Sequence, residues 1–200
     1  MSGAPRTRGV ACGALARELL AVAAANGWTH LDVTCLPAEL HNRPREIPEA
    51  VRARIRARRD GAGRVLVLYG DCGTGGLLDR VLDEEGATRI AGAHCYEFYA
   101  GAEAFAALAD AEPGTFYLTD YLVRHFDRLV VEGLGLDRHP ELRDEYFRHY
   151  RRVVYLAQQP DDGLRARAVA AASRLGLPLE TRATGLGGLA PFLAPAPAPA

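Results

Sequence analysis

The stretch Arg64-Val-Leu-Val-Leu-Tyr-Gly-Asp-Cys-Gly-Thr-Gly-Gly76 decides how the rest of the chain reads. Its first half, Arg64 to Tyr69, is a near-continuous apolar run, the pattern of a strand buried on both faces of a parallel sheet. Its second half, Gly70 to Gly76, is a glycine-rich turn. Leu77 to Glu85 then follows at helical spacing until Gly86 stops it. Strand, tight turn and helix in succession form the repeating unit of an α/β fold.

Upstream, Arg8 to Cys12 reads as a short strand. Ala14 to Ala25 reads as a helix on Leu15, Leu19 and Val22, stopped by Asn26-Gly27, and His30 to Leu36 as a strand. Pro44 and Pro48 bracket the start of a helix that is expected to run to Arg59. Its arginines, Arg52, Arg54, Arg56, Arg58 and Arg59, read as a solvated face, with an anion site as the lesser alternative. Downstream, Arg89 to His94 is a predicted strand, Ala102 to Ala111 a helix and Gly114 to Thr119 a strand. Helices are expected over Asp120 to Glu132 and Pro140 to Tyr150. Val153 to Gln158 is a second buried strand, Leu164 to Leu175 a helix ended by Gly176, and Leu179 to Thr184 an edge strand. The Ala-Pro alternation from Ala194 to Ala200 has nothing to pack and reads as a disordered tail. The expected fold class is α/β, a mainly parallel sheet with helices on both faces. It forms a single domain over 1–193, with two pseudo-symmetric βα halves as the alternative.

The 200 residues are 48% hydrophobic and 24% charged, enough for a sizeable core. A net charge of −1 argues against a nucleic-acid binder. No apolar run approaches the ~20 residues that cross a bilayer. Met1 to Val10 lacks the apolar core of a signal peptide, so the expected location is cytoplasmic, with no membrane partner. Oligomeric state leaves no mark in the sequence. All 24 basic residues are arginine. Lysine Schiff-base chemistry and a Walker-type phosphate loop, which both need lysine, are thereby excluded.

The cysteines are Cys12, Cys35, Cys72 and Cys95, separated by 23, 37 and 23 residues. The matching gaps read as a duplicated unit, strand, Cys-Gly, helix, strand, Cys, over about 10–36 and 70–96. In a parallel sheet this places all four thiols at strand carboxyl ends, where α/β sites form. The turn Gly70 to Gly76 brings a backbone close to a ligand through Gly73, Thr74, Gly75 and Gly76. The helix after it presents a positive end, expected to lower the pKa of Cys72. Asp71 is a candidate catalytic carboxylate there, or a cap. His94-Cys95-Tyr96-Glu97 puts two borderline-soft metal donors side by side. His41 and Asn42, in the loop after Cys35, are candidates for the same edge. Asp120 follows a strand end, either to cap the next helix or to orient a histidine. His125, His139 and His149 read as surface or core. Gln158-Gln159 can offer amides to a ligand.

The segments Ala11-Cys-Gly, CLPAELHNRP from Cys35, LYGDCGTGGL from Leu68, GAHCYEFYAG from Gly92, EPGTFYLTDYLVRHFD from Glu112, GLDRHPELRDEYF from Gly135 and RRVVYLAQ from Arg151 are long and specific. On them the chain resembles the bacterial and archaeal domain-of-unknown-function family 1638, over about Val10 to Leu189. The residues that match are Cys12, Cys35, His41, Asn42, Cys72, His94, Cys95 and Asp120. The resemblance implies a setting beside corrinoid-dependent methyltransferase systems, hence a supporting role in one-carbon metabolism. A small-molecule substrate or a corrinoid-system protein would then be the partner.

Three readings follow. The first is a Zn or Fe site on Cys12, Cys35, Cys72, His94 and Cys95: structural if closed, Lewis-acid if one position stays open, with an iron–sulfur cluster as a variant. The second is metal-free thiol catalysis by Cys12 and Cys72, which is similar to the aspartate/glutamate racemase architecture. The residues that follow the cysteines in that family, Asn-Thr and Thr-His, are absent here. The third is a binding module that hands a corrinoid or a metal to a partner. The Asp-x-His-x-x-Gly signature of base-on corrinoid binding is absent.

Overall fold

The computed structural model describes residues 6–57 and 63–195. They divide into two compact units, one of residues 6–57, 63–98 and 188–195, the other of Tyr99–Gly187. Each has its own sheet, and both sheets are parallel throughout. The α/β class and helix-flanked parallel strands stand as the apolar pattern requires.

The first unit holds β1 (Thr7–Cys12), α1 (Ala16–Ala25), β2 (Leu31–Leu36), α2 (Ile47–Arg56), β3 (Arg64–Leu68), α3 (Leu77–Glu85) and β4 (Thr88–Arg89). The strand order is β2-β1-β3-β4. In β3, Leu66, Val67 and Leu68 are completely buried, each worth about 1.5–3 kcal/mol as an upper estimate. Ile47, Val51 and Ile55, four residues apart, bury one face of α2, and Leu78, Val81 and Leu82 one face of α3. Glu85 ends that face of α3. Its buried carboxylate takes Arg56 at 2.7 Å and Arg52 at 3.3 Å, which joins α3 to α2. Two of the five arginines of this stretch are therefore committed to ion pairs. Arg58 and Arg59, expected to extend the helix, lie outside the described residues.

The second unit holds α5 (Ala102–Ala111), β5 (Thr115–Thr119), α6 (Asp120–Arg124), α7 (Leu142–Phe147), β6 (Arg152–Ala157), α8 (Asp162–Leu175) and β7 (Leu179–Ala183), with strand order β5-β6-β7. One side of this sheet packs Leu118, Val153 and Tyr155 against Val123 and Phe126 and against Leu164 and Ala168 of α8.

Several expectations change. The strand foreseen over Arg89 to His94 keeps only Thr88–Arg89, because Gly92 turns the chain at φ 124°. His94 and Cys95 therefore sit in a turn that leads into a short helix, α4 (Tyr96–Ala100). The helix foreseen over Asp120 to Glu132 is broken: α6 stops at Arg124 and a π-helical stretch, Asp127–Glu132, follows. The helix foreseen over Pro140 to Tyr150 shrinks to α7. A last helix, α9 (Leu189–Leu193), carried no clear sequence signal, and it rejoins the first unit. Of the expected tail, residues 196–200 lie outside the described residues. Among the described residues no helix is long and apolar enough to cross a membrane.

Candidate functional site at the carboxyl edge of the first sheet

In the first sheet the connection from β1 runs outward to β2, and the connection from β3 runs outward the other way to β4. The crevice at such a switch point opens between the carboxyl ends of β1 and β3. Cys12 ends β1 there, and Tyr69 to Gly76 leave β3 there.

Cys12 is buried, 2% exposed. Its Sγ accepts the Ala14 N–H at 3.4 Å and lies 3.8 Å from His41 Nδ1. His41 reaches it from the short 3-10 helix Ala38–Asn42, with Nδ1 also 3.1 Å from the Ala38 carbonyl. The imidazole stacks on the Tyr69 ring, centroids 5.9 Å apart and planes 15° apart. Tyr69 is 1% exposed, and burial together with the neighbouring Cys12 thiol pushes its hydroxyl above the usual phenol range. Sequence reasoning passed over Tyr69. Its signal was a hydroxyl at the end of an otherwise apolar buried strand.

Cys72 has φ 50°, the only non-glycine residue among those described in the left-handed region. Such strain costs about 1–3 kcal/mol and gathers at functional sites. The turn is held by backbone bonds from Asp71 N–H to Gly92 O at 3.1 Å and from Cys72 N–H to Ala93 O at 2.9 Å. Gly70 permits this approach, since a Cβ there would lie 3.0 Å from His94 N and 3.1 Å from the Ala93 carbonyl. The same contacts carry Cys95 toward Cys72. Glu97 fixes the His94 turn by accepting the Ala93 N–H at 2.7 Å and the His94 N–H at 3.2 Å.

Burial pushes the Cys12 thiol up to about 12, with Cys72 and Cys35 adding to the rise. Burial also raises Cys72, and it raises Cys95 well above the usual thiol range, with Cys72 and then Cys12 adding to it. The lowered pKa expected for Cys72 is thus reversed. The positive end of α3 is already engaged by Asp71, whose carboxylate accepts the Gly76 N–H at 2.9 Å, the Gly75 N–H at 3.1 Å and the Thr74 hydroxyl at 2.8 Å. Those bonds hold Asp71 below the usual carboxylate range. Asp71 and Thr74 therefore tie the Gly73–Gly76 turn together from within. Burial lowers His41, which keeps the imidazole neutral and a donor-competent ligand at neutral pH.

The remaining candidates are placed as follows. Cys35 pairs in register with Ala11 rather than Cys12, so it faces the opposite side of the sheet, against Ala16, Leu19 and Leu20 of α1. His94 is exposed beside Tyr96, ring centroids 6.1 Å apart. Asn42 is exposed at the end of its 3-10 helix. Among the described residues no three His, Cys, Asp or Glu side chains already stand in a metal-holding group.

Asp120 belongs to the second unit. It is 1% exposed and accepts the Tyr155 hydroxyl at 2.6 Å, Gln159 N–H at 2.8 Å and Gln158 N–H at 3.2 Å. Its own N–H donates to Gln158 Oε1 at 2.8 Å. Arg124 stands 3.9 Å away. No histidine is among these partners. Of the two roles foreseen for Asp120, the geometry displays a tie between the ends of β5 and β6. The Gln158 side chain is consumed by that tie and by the Leu156 carbonyl, so it is not offered to a ligand.

The model of a family described as a protein of unknown function (DUF1638) matches residues 35–193, and the chain belongs to that family. The match takes in His41, Cys72, His94, Cys95 and Asp120, while Cys12 lies before it. No curated protein and no solved structure matches the chain.

Proposed function

We propose that this member of the family binds a zinc or iron ion at the β1/β3 switch point, through the thiolates of Cys12, Cys72 and Cys95 and the imidazole of His41. The observation that carries the reading is that one buried thiol, Cys12, two half-buried thiols, Cys72 and Cys95, and the His41 imidazole gather at the carboxyl ends of β1 and β3. Each of the three thiols is raised by desolvation, and Cys12 and Cys95 also by neighbouring thiols. A set of this kind lacks only a cation: a divalent ion replaces the protons and turns the mutual repulsion into attraction. Cys₃His is a donor set that zinc takes in tetrahedral sites. Binding draws the donors inward from their present spacing. The strained Cys72 backbone and the Asp71-tied turn hold one of them at the crevice. His94 and Cys35 fall outside this set on their exposure and facing.

What the ion supplies depends on how many of the four donors engage. Four close the site; three leave a position at which a bound substrate atom is polarised. The family resemblance supports extending the proposal to a supporting role in corrinoid-linked one-carbon chemistry, with a small-molecule substrate or a corrinoid-system protein as partner.

The test is elemental analysis of the untagged protein, purified without chelators, beside Cys12→Ser and Cys72→Ser. About one zinc or iron per chain is expected, lost in both variants. A wild-type chain that holds no metal even after anaerobic reconstitution sinks the proposal. Cys12 and Cys72, held protonated by burial, are then expected to alkylate slowly near neutral pH and stand as core residues.

A further inference from the structure

A second, chemically different site lies wholly within the second unit. A groove of about 560 Å³ runs between the α6 and π-helical segment on one wall and α8 on the other. Cavities of a few hundred Å³ are the size that holds small ligands. Arg124 and Arg128 stand one turn apart on the first wall, and Arg167 and Arg174 stand two turns apart on the second. Val123, Ala170 and Ala171 give the groove an apolar floor.

The charges are only partly answered. Arg174 is paired with Asp127 at 2.9 Å. Arg124 faces Asp120 at 3.9 Å through Nη2, while its enclosed Nη1 has no hydrogen-bond partner. Arg128 donates to the Tyr121 hydroxyl at 3.4 Å and has further partners besides. Arg167 has no acidic partner among the described residues. The remaining acid on the lining is Glu132, at the far end of the π-helical stretch. That stretch is itself an independent sign, because π-helical turns widen a helix wall at a cost in hydrogen-bond geometry and recur at functional sites.

We propose that this groove is a binding site for a small phosphate-bearing molecule. Guanidinium groups on both walls would clamp the phosphate, and the organic body would rest on the alanine and valine floor. Planar guanidinium groups match phosphate oxygens two at a time, and arginine is more weakly hydrated than lysine, which suits a partly enclosed groove. The proposal is independent of the thiol site, since every residue named belongs to Tyr99–Gly187.

The test is calorimetric titration of the full chain with pyrophosphate, ADP and citrate at about 0.15 M salt, where exposed charges are screened beyond about 8 Å. Saturable binding of pyrophosphate or ADP is expected, weakened about ten-fold or more by Arg167→Glu through the loss of a charge-assisted contact and the added repulsion. Arg167 is exposed, so the far-UV circular dichroism of the variant should not move. Arg167→Gln is the milder second variant should the charge reversal fail to fold. No saturable binding of either phosphate into the millimolar range overturns the proposal. So does binding that the Arg167 variants leave within about two-fold, or binding of citrate alone.

Discussion

Replacing Asp120 by Asn tests whether this buried carboxylate is a tie inside the second unit or a working part of the thiol site. The carboxylate is 1% exposed and takes three donors: the Tyr155 hydroxyl at 2.6 Å and the Gln158 and Gln159 N–H groups at 3.2 and 2.8 Å. Asparagine keeps the shape but turns one oxygen into an NH₂ that faces a donor. Each buried donor left without an acceptor costs about 1–3 kcal/mol. Two donors are at risk if the amide nitrogen takes the place of Oδ1, and one, the Gln159 N–H, if it takes the place of Oδ2. The cheaper orientation strands one donor, so the expected loss is about 1–3 kcal/mol, a sizeable part of a typical 5–15 kcal/mol stability. Asp120→Ala, which strands all three donors, should cost more. Tyr155→Phe should cost less, about 1–2 kcal/mol, because the carboxylate keeps its backbone donors. Combined with Asp120→Ala its effect should fall short of additive by at least about 0.5 kcal/mol, since the two changes remove one shared bond. Urea unfolding followed by circular dichroism and by tyrosine absorbance measures all four. The metal content per folded chain should be unchanged, as every partner of Asp120 lies in the second unit. A stability loss under about 1 kcal/mol, or metal lost from a chain that stays folded, refutes the reasoning.

Four further outcomes follow from the first unit. In the metal-free chain Cys12 holds its proton up to about 12 against an ordinary 9.0. Folding thus favours the protonated thiol, and the resulting stability is whole below about pH 9 and drains away as pH rises toward 12. Unfolding curves across that window should show the decline in the wild type and a shallower one in Cys12→Ser. Zinc added near neutral pH should release protons into an unbuffered solution, because raised thiols must ionise to bind; uptake without release argues against thiolate ligation. Cys72→Gly should leave stability within about 1 kcal/mol of wild type, since relief of the left-handed strain offsets the entropy of glycine, yet abolish metal binding. Gly70→Ala should destabilise by about 1–3 kcal/mol and expose Cys72 and Cys95 to thiol reagents, because its Cβ meets backbone that has nowhere to go.

Local pattern accounts for most of the element positions. Leu77–Glu85 falls where helical spacing and a stopping glycine place it, Ala102–Ala111 where its helical spacing does, and the two apolar runs become β3 and β6. The departures have local causes of a kind that a period does not report. Gly92 bends what would have been a longer β4, and the widening after Arg124 comes from how Phe126, Val130 and Val131 seat on the second core. The candidate site was legible in part. Cys12, Cys72 and Cys95 are singled out by cysteine spacing and His41 by its place in the loop after Cys35, and His41 Nδ1 stands 3.8 Å from Cys12 Sγ. Asp120 and the Gln158 amide, named beside them, serve the second sheet instead.

The sequence by itself determined the class, because alternation of buried runs, glycine turns and amphipathic stretches is written residue by residue. It also determined what chemistry is absent, since a chain without lysine has no amine nucleophile to offer. Only the tertiary structure decided which thiols meet. A one-residue difference in register turns Cys35 away from Cys12, and register is set by pairing with strands far along the chain. It likewise decided the sign of the Cys72 shift. A helix end is visible in sequence, but desolvation comes from whatever packs around the thiol, and here it outweighs the helix.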